Sequence, residues 1–252
     1  LHGSVPRYRV GMTPPPDLPR IRVNWWWILA TVAVSALVTA HLLREVYPGL
    51  PDPMPVHWNA RGEADGVAAK SVAGFLGIVL IGPGTIVLTM LAVAGLISLQ
   101  SASITERGGA RTPAEARRTW HTLRAAQTHL GWYLFGVNAF VLALLVRSYT
   151  GADQGVDLLV FLAGLAGLTA LLLLVLYRAQ RTAEERHPRP AAEQSHWRGG
   201  IYRNPEDPRL LVPNDSGMNL TVNLGHPSGK LVLGLILGGP LLLVLGLLLV
   251  LL

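Results

Sequence analysis

The chain has 252 residues, of which 50% are hydrophobic and only 14% are charged, whereas an average soluble domain carries about 25% charged residues. There is no cysteine, which excludes disulfides, thiolate catalysis and cysteine metal sites. The net charge of +6 comes from basic residues beside apolar segments, a pattern typical of membrane topology and not of nucleic-acid binding.

The chain begins with a polar region and a first apolar run. Residues 1–23 are rich in proline and arginine, and we expect them to be disordered. The first predicted span runs from Asn24, a predicted N-cap, to about Leu43. Three tryptophans follow Asn24, where indole rings favour the membrane interface. A secretory signal is the alternative, but its polar leader would be long and further apolar runs follow.

Four more apolar runs predict a bundle of about five transmembrane helices, an all-α integral membrane protein. The runs are Ser71–Leu99, His129–Val146, Leu158–Tyr177 and Leu231–Leu252. Thr112 to Glu115 forms a capping box with proline at the first helical position, so a helix begins there and runs into the third span. The fourth helix is predicted to extend to about Arg186.

These elements divide the chain into four predicted parts. After the N-terminal region 1–23 comes a two-span domain, 24–99, which contains an outer proline-rich loop at 44–70. The third part, residues 100–186, contains a polar loop to residue 111, an amphipathic cytoplasmic helix, and spans three and four. The fourth part, residues 187–252, contains an inner loop domain and the last span.

Charge asymmetry predicts the orientation. With five spans, 17 of the 21 lysines and arginines fall on the side of the N-terminus. The positive-inside rule then places the N-terminus in the cytoplasm and the C-terminus outside. We expect a plasma membrane protein whose main partner is the lipid bilayer.

The outer loop has a dense proline pattern followed by turn residues. Its prolines predict a stiff, extended segment, and residues 59–62 and 65–66 predict turns. The pattern YPxLPxxxPxHWNxxGxxDGxxxK, within residues 25–90, resembles the domain of unknown function at the start of SdpI-type bacterial membrane proteins. That group includes immunity proteins against a secreted killing peptide. The resemblance implies a multispanning bacterial membrane protein. Our own hypothesis is that the outer loop meets a secreted peptide, a lipid or a partner protein. The candidate interaction residues are His57, Trp58, Asn59 and Asp65.

The inner loop carries a second pattern, WRGGIYRNPEDPRLLVP at residues 197–213, followed by NLGHP at 223–227. It resembles an uncharacterised segment that precedes the last span of such proteins. Residues 200–202 and 209–212 predict a small hairpin around the NPEDP turn. The candidate interaction residues here are Tyr202, Asn204, Glu206, Asp207 and Arg209.

The sequence offers no recognisable catalytic motif and implies no cofactor. Asn138 is the strongly polar side chain within a span, and we expect it to bridge helices. A binding or sensing protein of the immunity or signalling kind is the main hypothesis. A transporter or channel component, with a kink at Gly82-Pro83-Gly84, is the first alternative. A membrane enzyme with a metal at His57, helped by Asp52, Glu63 or Asp65, is the second.

Overall fold

The computed structural model describes residues 18–59, 63–106, 112–150, 154–188, 196–198, 201–213 and 220–234. It is mostly helical, which confirms the predicted class. The four long helices are α1 (Trp25–His41), α2 (Val72–Glu106), α3 (Pro113–Thr150) and α4 (Gln154–Arg186).

Each of the four helices is long and apolar enough to cross a membrane, so the chain has the features of a multi-pass membrane protein. The spans begin near Trp25, Val72, Pro113 and Leu159. Of the predicted fifth span, Leu231–Leu252, residues 231–234 are helical, and residues 235–252 lie outside the described residues.

Local sequence signals account for the helix starts. The side chain of Asn24 accepts a hydrogen bond from the backbone N–H of Trp26, as the N-cap prediction requires. At the start of α3, the Thr112 hydroxyl accepts from the Glu115 N–H at 3.1 Å. Pro83 lies inside α2, which is helical on both sides of it.

The described residues form three two-stranded antiparallel sheets. These pair β1 (Met54–Trp58) with β2 (Ala64–Ala68), β3 (Trp197–Arg198) with β4 (Ile201–Tyr202), and β5 (Leu211–Pro213) with β6 (Leu220–Val222). A π-helical turn, Leu42–Val46, and a 3₁₀ turn, Tyr47–Gly49, continue α1 towards β1.

Two strand predictions are wrong. Ile201–Tyr202 does not pair with residues 209–212: it pairs with Trp197–Arg198, while Leu211–Pro213 pairs with Leu220–Val222. Asp65 and Gly66 lie within β2 and not in a turn, since the connection is made earlier, where the Asn59 N–H bonds the Glu63 carbonyl.

Two boundary predictions are also wrong. The predicted polar loop 100–111 is helical as far as Glu106, where α2 ends. Residues 18–23 do not fit the predicted disorder, because Ile21 is buried and its N–H bonds the buried hydroxyl of Ser101 at 3.0 Å. Ser101, which the sequence analysis placed in the polar loop, is therefore a contact between α2 and this N-terminal segment.

The chain divides into two compact units. Unit 1 comprises residues 1–18, 104–123 and 179–252, and unit 2 comprises residues 19–103 and 124–178. A buried cluster of unit 2 lies beside β1, where the ends of three helices meet. Its members are Leu42, Met54, Phe75, Val79 and Tyr149.

Candidate functional site

The proline-rich hairpin, residues 50–70 with strands β1 and β2, is attached to the helices of unit 2 by a chain of aromatic rings. Trp58 contacts Tyr149 edge-on, with ring centroids 5.1 Å apart. Tyr149 contacts Phe75 at 5.3 Å, and Phe75 contacts Tyr47 at 5.2 Å. Because these rings come from the end of α3, the start of α2 and the end of the α1 segment, the hairpin is held by three helices at once.

Lys70 closes the base of the hairpin. Its ammonium group donates to the backbone oxygens of Leu50 at 2.6 Å and Pro48 at 3.1 Å, and lies 5.2 Å from the ring centre of Tyr47. Its backbone N–H donates to the Asp52 carboxylate at 3.0 Å. The two ends of the loop are therefore joined by charge-assisted bonds, which explains the lysine at the end of the sequence pattern.

On the surface of the hairpin, His57 and Asp65 form a pair. Nδ1 of His57 lies 2.5 Å from a carboxylate oxygen of Asp65, and the two side chains are 71% and 45% exposed. The pair spans the two strands and is open to solvent. The hairpin thus presents an imidazole and a carboxyl group together to solvent.

Glycine at position 66 makes this arrangement possible. His57 lies opposite Gly66 in the sheet, and a Cβ on Gly66 would stand 2.8 Å from Cβ of His57. At the tip, Asn59 and Glu63 exchange three hydrogen bonds of 2.9–3.1 Å. Residues 60–62, part of the predicted turn, lie outside the described residues.

The structure thus brings all four candidates of the first loop onto one hairpin, with different roles. His57 and Asp65 face solvent, Trp58 packs on Tyr149, and Asn59 closes the tip. Among the described residues, no three histidine or carboxylate side chains come together as a metal site would need. Asp52 and Glu63, the other ligands considered for a metal at His57, bond Lys70 and Asn59 instead.

Within the helices of unit 2, Asn138 of α3 donates to the hydroxyl of Ser35 on α1 at 3.1 Å. Asn138 is fully buried, and its side-chain oxygen has no hydrogen-bond partner within the described part of the chain. This bond ties α1 to α3.

The second loop has a polar interior formed by its own candidate residues. The Tyr202 hydroxyl donates to Asp207 at 3.0 Å and accepts from Asn204 at 3.3 Å, and all three residues are buried. Arg209 bonds the same Asp207 carboxylate and lies 3.6 Å from Glu115 of α3. Glu206 is exposed. Most of these residues therefore fold the loop and do not present a surface.

Asn223, which the sequence analysis did not single out, is the centre of this loop. Its amide nitrogen donates to three backbone oxygens, those of Asn204, Asp207 and Arg209, at 2.8–3.2 Å. Its side-chain oxygen accepts from the N–H groups of Asn204 and Gly225. The sequence Asn223-Leu224-Gly225 could have indicated this role, because an asparagine side chain often bonds the backbone two residues further on in a turn.

The two loops are also the parts of the chain that match known families. Residues 28–82 match a domain of unknown function, DUF1648. Residues 205–230 match a family of unknown function, DUF5808. No curated protein and no solved structure matches the chain. The first match contains the whole proline-rich hairpin, and the second contains Asn223 together with Glu206, Asp207 and Arg209.

Proposed function

We propose that this protein is a multi-pass protein of a bacterial plasma membrane that binds or senses a partner outside the cell through its proline-rich hairpin. The partner is a secreted peptide or another membrane protein, and the role is of the SdpI-like immunity or signalling kind. Binding, and not catalysis, is the activity proposed.

The observation that carries the proposal is the exposed His57–Asp65 pair on an anchored hairpin. Aromatic contacts hold the hairpin to three helices, so the pair keeps its geometry without a ligand. Recognition costs less when the binding groups are already ordered, because fewer side chains lose freedom on binding. A pair of exposed side chains adds little to folding by itself, typically about 0–1 kcal/mol even when both are charged. The position of the His57–Asp65 pair on an anchored hairpin therefore favours a role in recognition over a role in stability.

The orientation supports an external role. Most lysines and arginines belong to segments on the side of the N-terminus, and the hairpin follows the first span. With a cytoplasmic N-terminus, the hairpin lies outside the cell and the second loop lies inside. The resemblance of the hairpin sequence to the N-terminal domain of SdpI-type proteins supports a secreted peptide as the external partner.

The alternatives receive less support. A transporter needs a polar path, but the polar side chain deepest in the spans, Asn138, is fully buried and bonded to Ser35. A metal enzyme needs further ligands beside His57, and Asp52 and Glu63 have other partners.

The test compares His57→Ala and Asp65→Ala with Arg44→Ala in a host exposed to secreted killing peptides. Arg44 and Glu45 form an exposed ion pair, at 3.1 Å, just before the hairpin, so Arg44→Ala is a matched control. We expect the two hairpin variants to keep normal membrane abundance and to lose tolerance or peptide binding, while the control keeps both. Unchanged tolerance and unchanged peptide binding in both hairpin variants would refute the external binding role.

A further inference from the structure

In unit 1, two histidines and three arginines come together where α3 begins and α4 ends. The rings of His121 and His187 stack nearly parallel, with centroids 5.6 Å apart and an angle of 13° between their planes. Trp120 packs edge-on against His121 at 5.2 Å. Arg117 lies one turn before His121 on α3, and Arg186 directly precedes His187. We call His121, His187, Arg117, Arg118 and Arg186 the His–Arg cluster.

Arg118 positions the cluster. It is buried, and its guanidinium donates to the backbone oxygen of His187 at 2.9 Å. That oxygen belongs to the end of α4, where helix carbonyls lack partners within the helix and a cation is favourable. Arg118 therefore fixes the end of α4 against α3, and His187 with it.

Burial and three arginines act in the same direction on His187. Burial lowers the pKa of His187 below its usual value, and Arg117, Arg118 and Arg186 lower it further by repulsion. Of the carboxylates on these two helices, Glu115 lies 3.6 Å from Arg209, and Glu184 accepts from Gln180 at 3.4 Å. Glu185, on the same turn of α4, is exposed.

We infer that the His–Arg cluster binds the phosphate group of an anionic ligand, either a phospholipid headgroup or free phosphate. Guanidinium groups bind phosphate oxygens with paired, charge-assisted hydrogen bonds, and an imidazole adds a further N–H donor. Both α3 and α4 continue from the cluster into segments apolar enough to span a membrane. Basic groups in such a place bind anionic headgroups.

Anion binding at the cluster is linked to protonation. A bound phosphate offsets the repulsion from the arginines and makes protonated His187 more favourable. Binding is therefore accompanied by proton uptake and becomes tighter as the pH falls towards the ordinary histidine pKa of about 6.5. A merely solvated basic surface would bind anions with no such pH dependence near neutrality.

The test uses the full chain, purified in a nonionic detergent and titrated calorimetrically with short-chain phosphatidylglycerol, short-chain phosphatidylcholine or inorganic phosphate. We expect phosphatidylglycerol to bind more tightly than phosphatidylcholine, and more tightly at about pH 6 than at about pH 8. Arg117→Gln combined with Arg186→Gln is expected to weaken this binding about thirtyfold, at about 1 kcal/mol per basic residue.

Further variants separate the roles. The single change Arg186→Gln, on an exposed side chain, is expected to weaken binding about fivefold and does not depend on the double variant folding. His121→Gln with His187→Gln is expected to remove the pH dependence. Arg181→Gln is the matched control: Arg181 is an exposed arginine of α4 outside the cluster, and its loss is expected to leave binding unchanged.

The outcomes decide both the site and its ligand. Much tighter binding of phosphatidylglycerol than of inorganic phosphate assigns the site to a lipid headgroup. Equal affinity, with competition between the two, assigns it to free phosphate. Equal binding of phosphatidylglycerol and phosphatidylcholine, or undiminished phosphatidylglycerol binding by the Arg186→Gln variant, would overturn the inference.

Discussion

At the scale of single residues, Gly66 sets the geometry of the exposed pair. It lies in β2 opposite His57, and a methyl group there would approach Cβ of His57 to 2.8 Å, closer than carbon atoms can pack. Since both atoms belong to neighbouring strands, relief requires the strands to separate.

Gly66→Ala is therefore expected to lower the free energy of unfolding by about 1–3 kcal/mol, as overpacking does elsewhere. The measurement is thermal unfolding of the purified protein in detergent. Gly49→Ala is the control, since a Cβ on Gly49 meets nothing within 4 Å. Equal stability of the two variants would show that the strands do not approach each other as described.

Asn223 is the corresponding residue of the second loop. It is fully buried, and its one amide group bonds three backbone carbonyl oxygens and two backbone N–H groups of the loop. A buried polar group that loses its partner costs about 1–3 kcal/mol, so one side chain holds much of the loop together.

Asn223→Ala is expected to destabilise the second loop by about 3 kcal/mol or more. The measurement is hydrogen exchange at the amides of Asn204 and Gly225, which Asn223 protects. Their exchange should accelerate strongly, while Glu206→Ala, on an exposed side chain, should leave it unchanged. Retained protection in the Asn223→Ala variant would contradict the role given to Asn223.

At the scale of elements, helix starts could be predicted and helix contacts could not. Caps at Asn24 and Thr112 depend on a few neighbouring residues, so the sequence shows them directly. Tyr149 and Phe75 lie 74 positions apart in the sequence, and nothing local to either residue indicates that they meet at the hairpin. The extension of α2 to Glu106 was missed because the partner of Ser101 is the distant Ile21.

The hydrogen bond between Asn138 and Ser35 gives a prediction about helix packing. A double-mutant cycle with Asn138→Ala and Ser35→Ala is expected to show a coupling of about 0.6 kcal/mol, the average for hydrogen bonds between membrane helices. The measurement is the free energy of unfolding of the four proteins in detergent. The same cycle with Thr85→Ala in place of Ser35→Ala is the control, since the Thr85 hydroxyl bonds its own helix at Ile81. Coupling that is equal in both cycles would deny a specific contact between α1 and α3.

At the scale of the whole molecule, composition and hydropathy predicted the class of protein, and the four helices confirm it. For the outer loop the sequence predicted a stiff segment but no strand pairing, and for the inner loop it predicted a wrong one, because strands of two to five residues carry too little periodicity to set a register. The contact between His57 and Asp65 could not be predicted from the sequence either, although both residues were candidates. Their approach depends on the register of β1 and β2.

The central claim is that the proline-rich hairpin faces the outside of the cell and the second loop faces the cytoplasm. The native chain has no cysteine, so single cysteines introduced as Ala69→Cys and Glu206→Cys, both at exposed positions, can be labelled without background from the protein. A membrane-impermeant maleimide applied to intact cells is predicted to label Ala69→Cys at once and Glu206→Cys only after permeabilisation. Labelling of Glu206→Cys in intact cells, with Ala69→Cys protected, would contradict the orientation and with it the proposed external binding role.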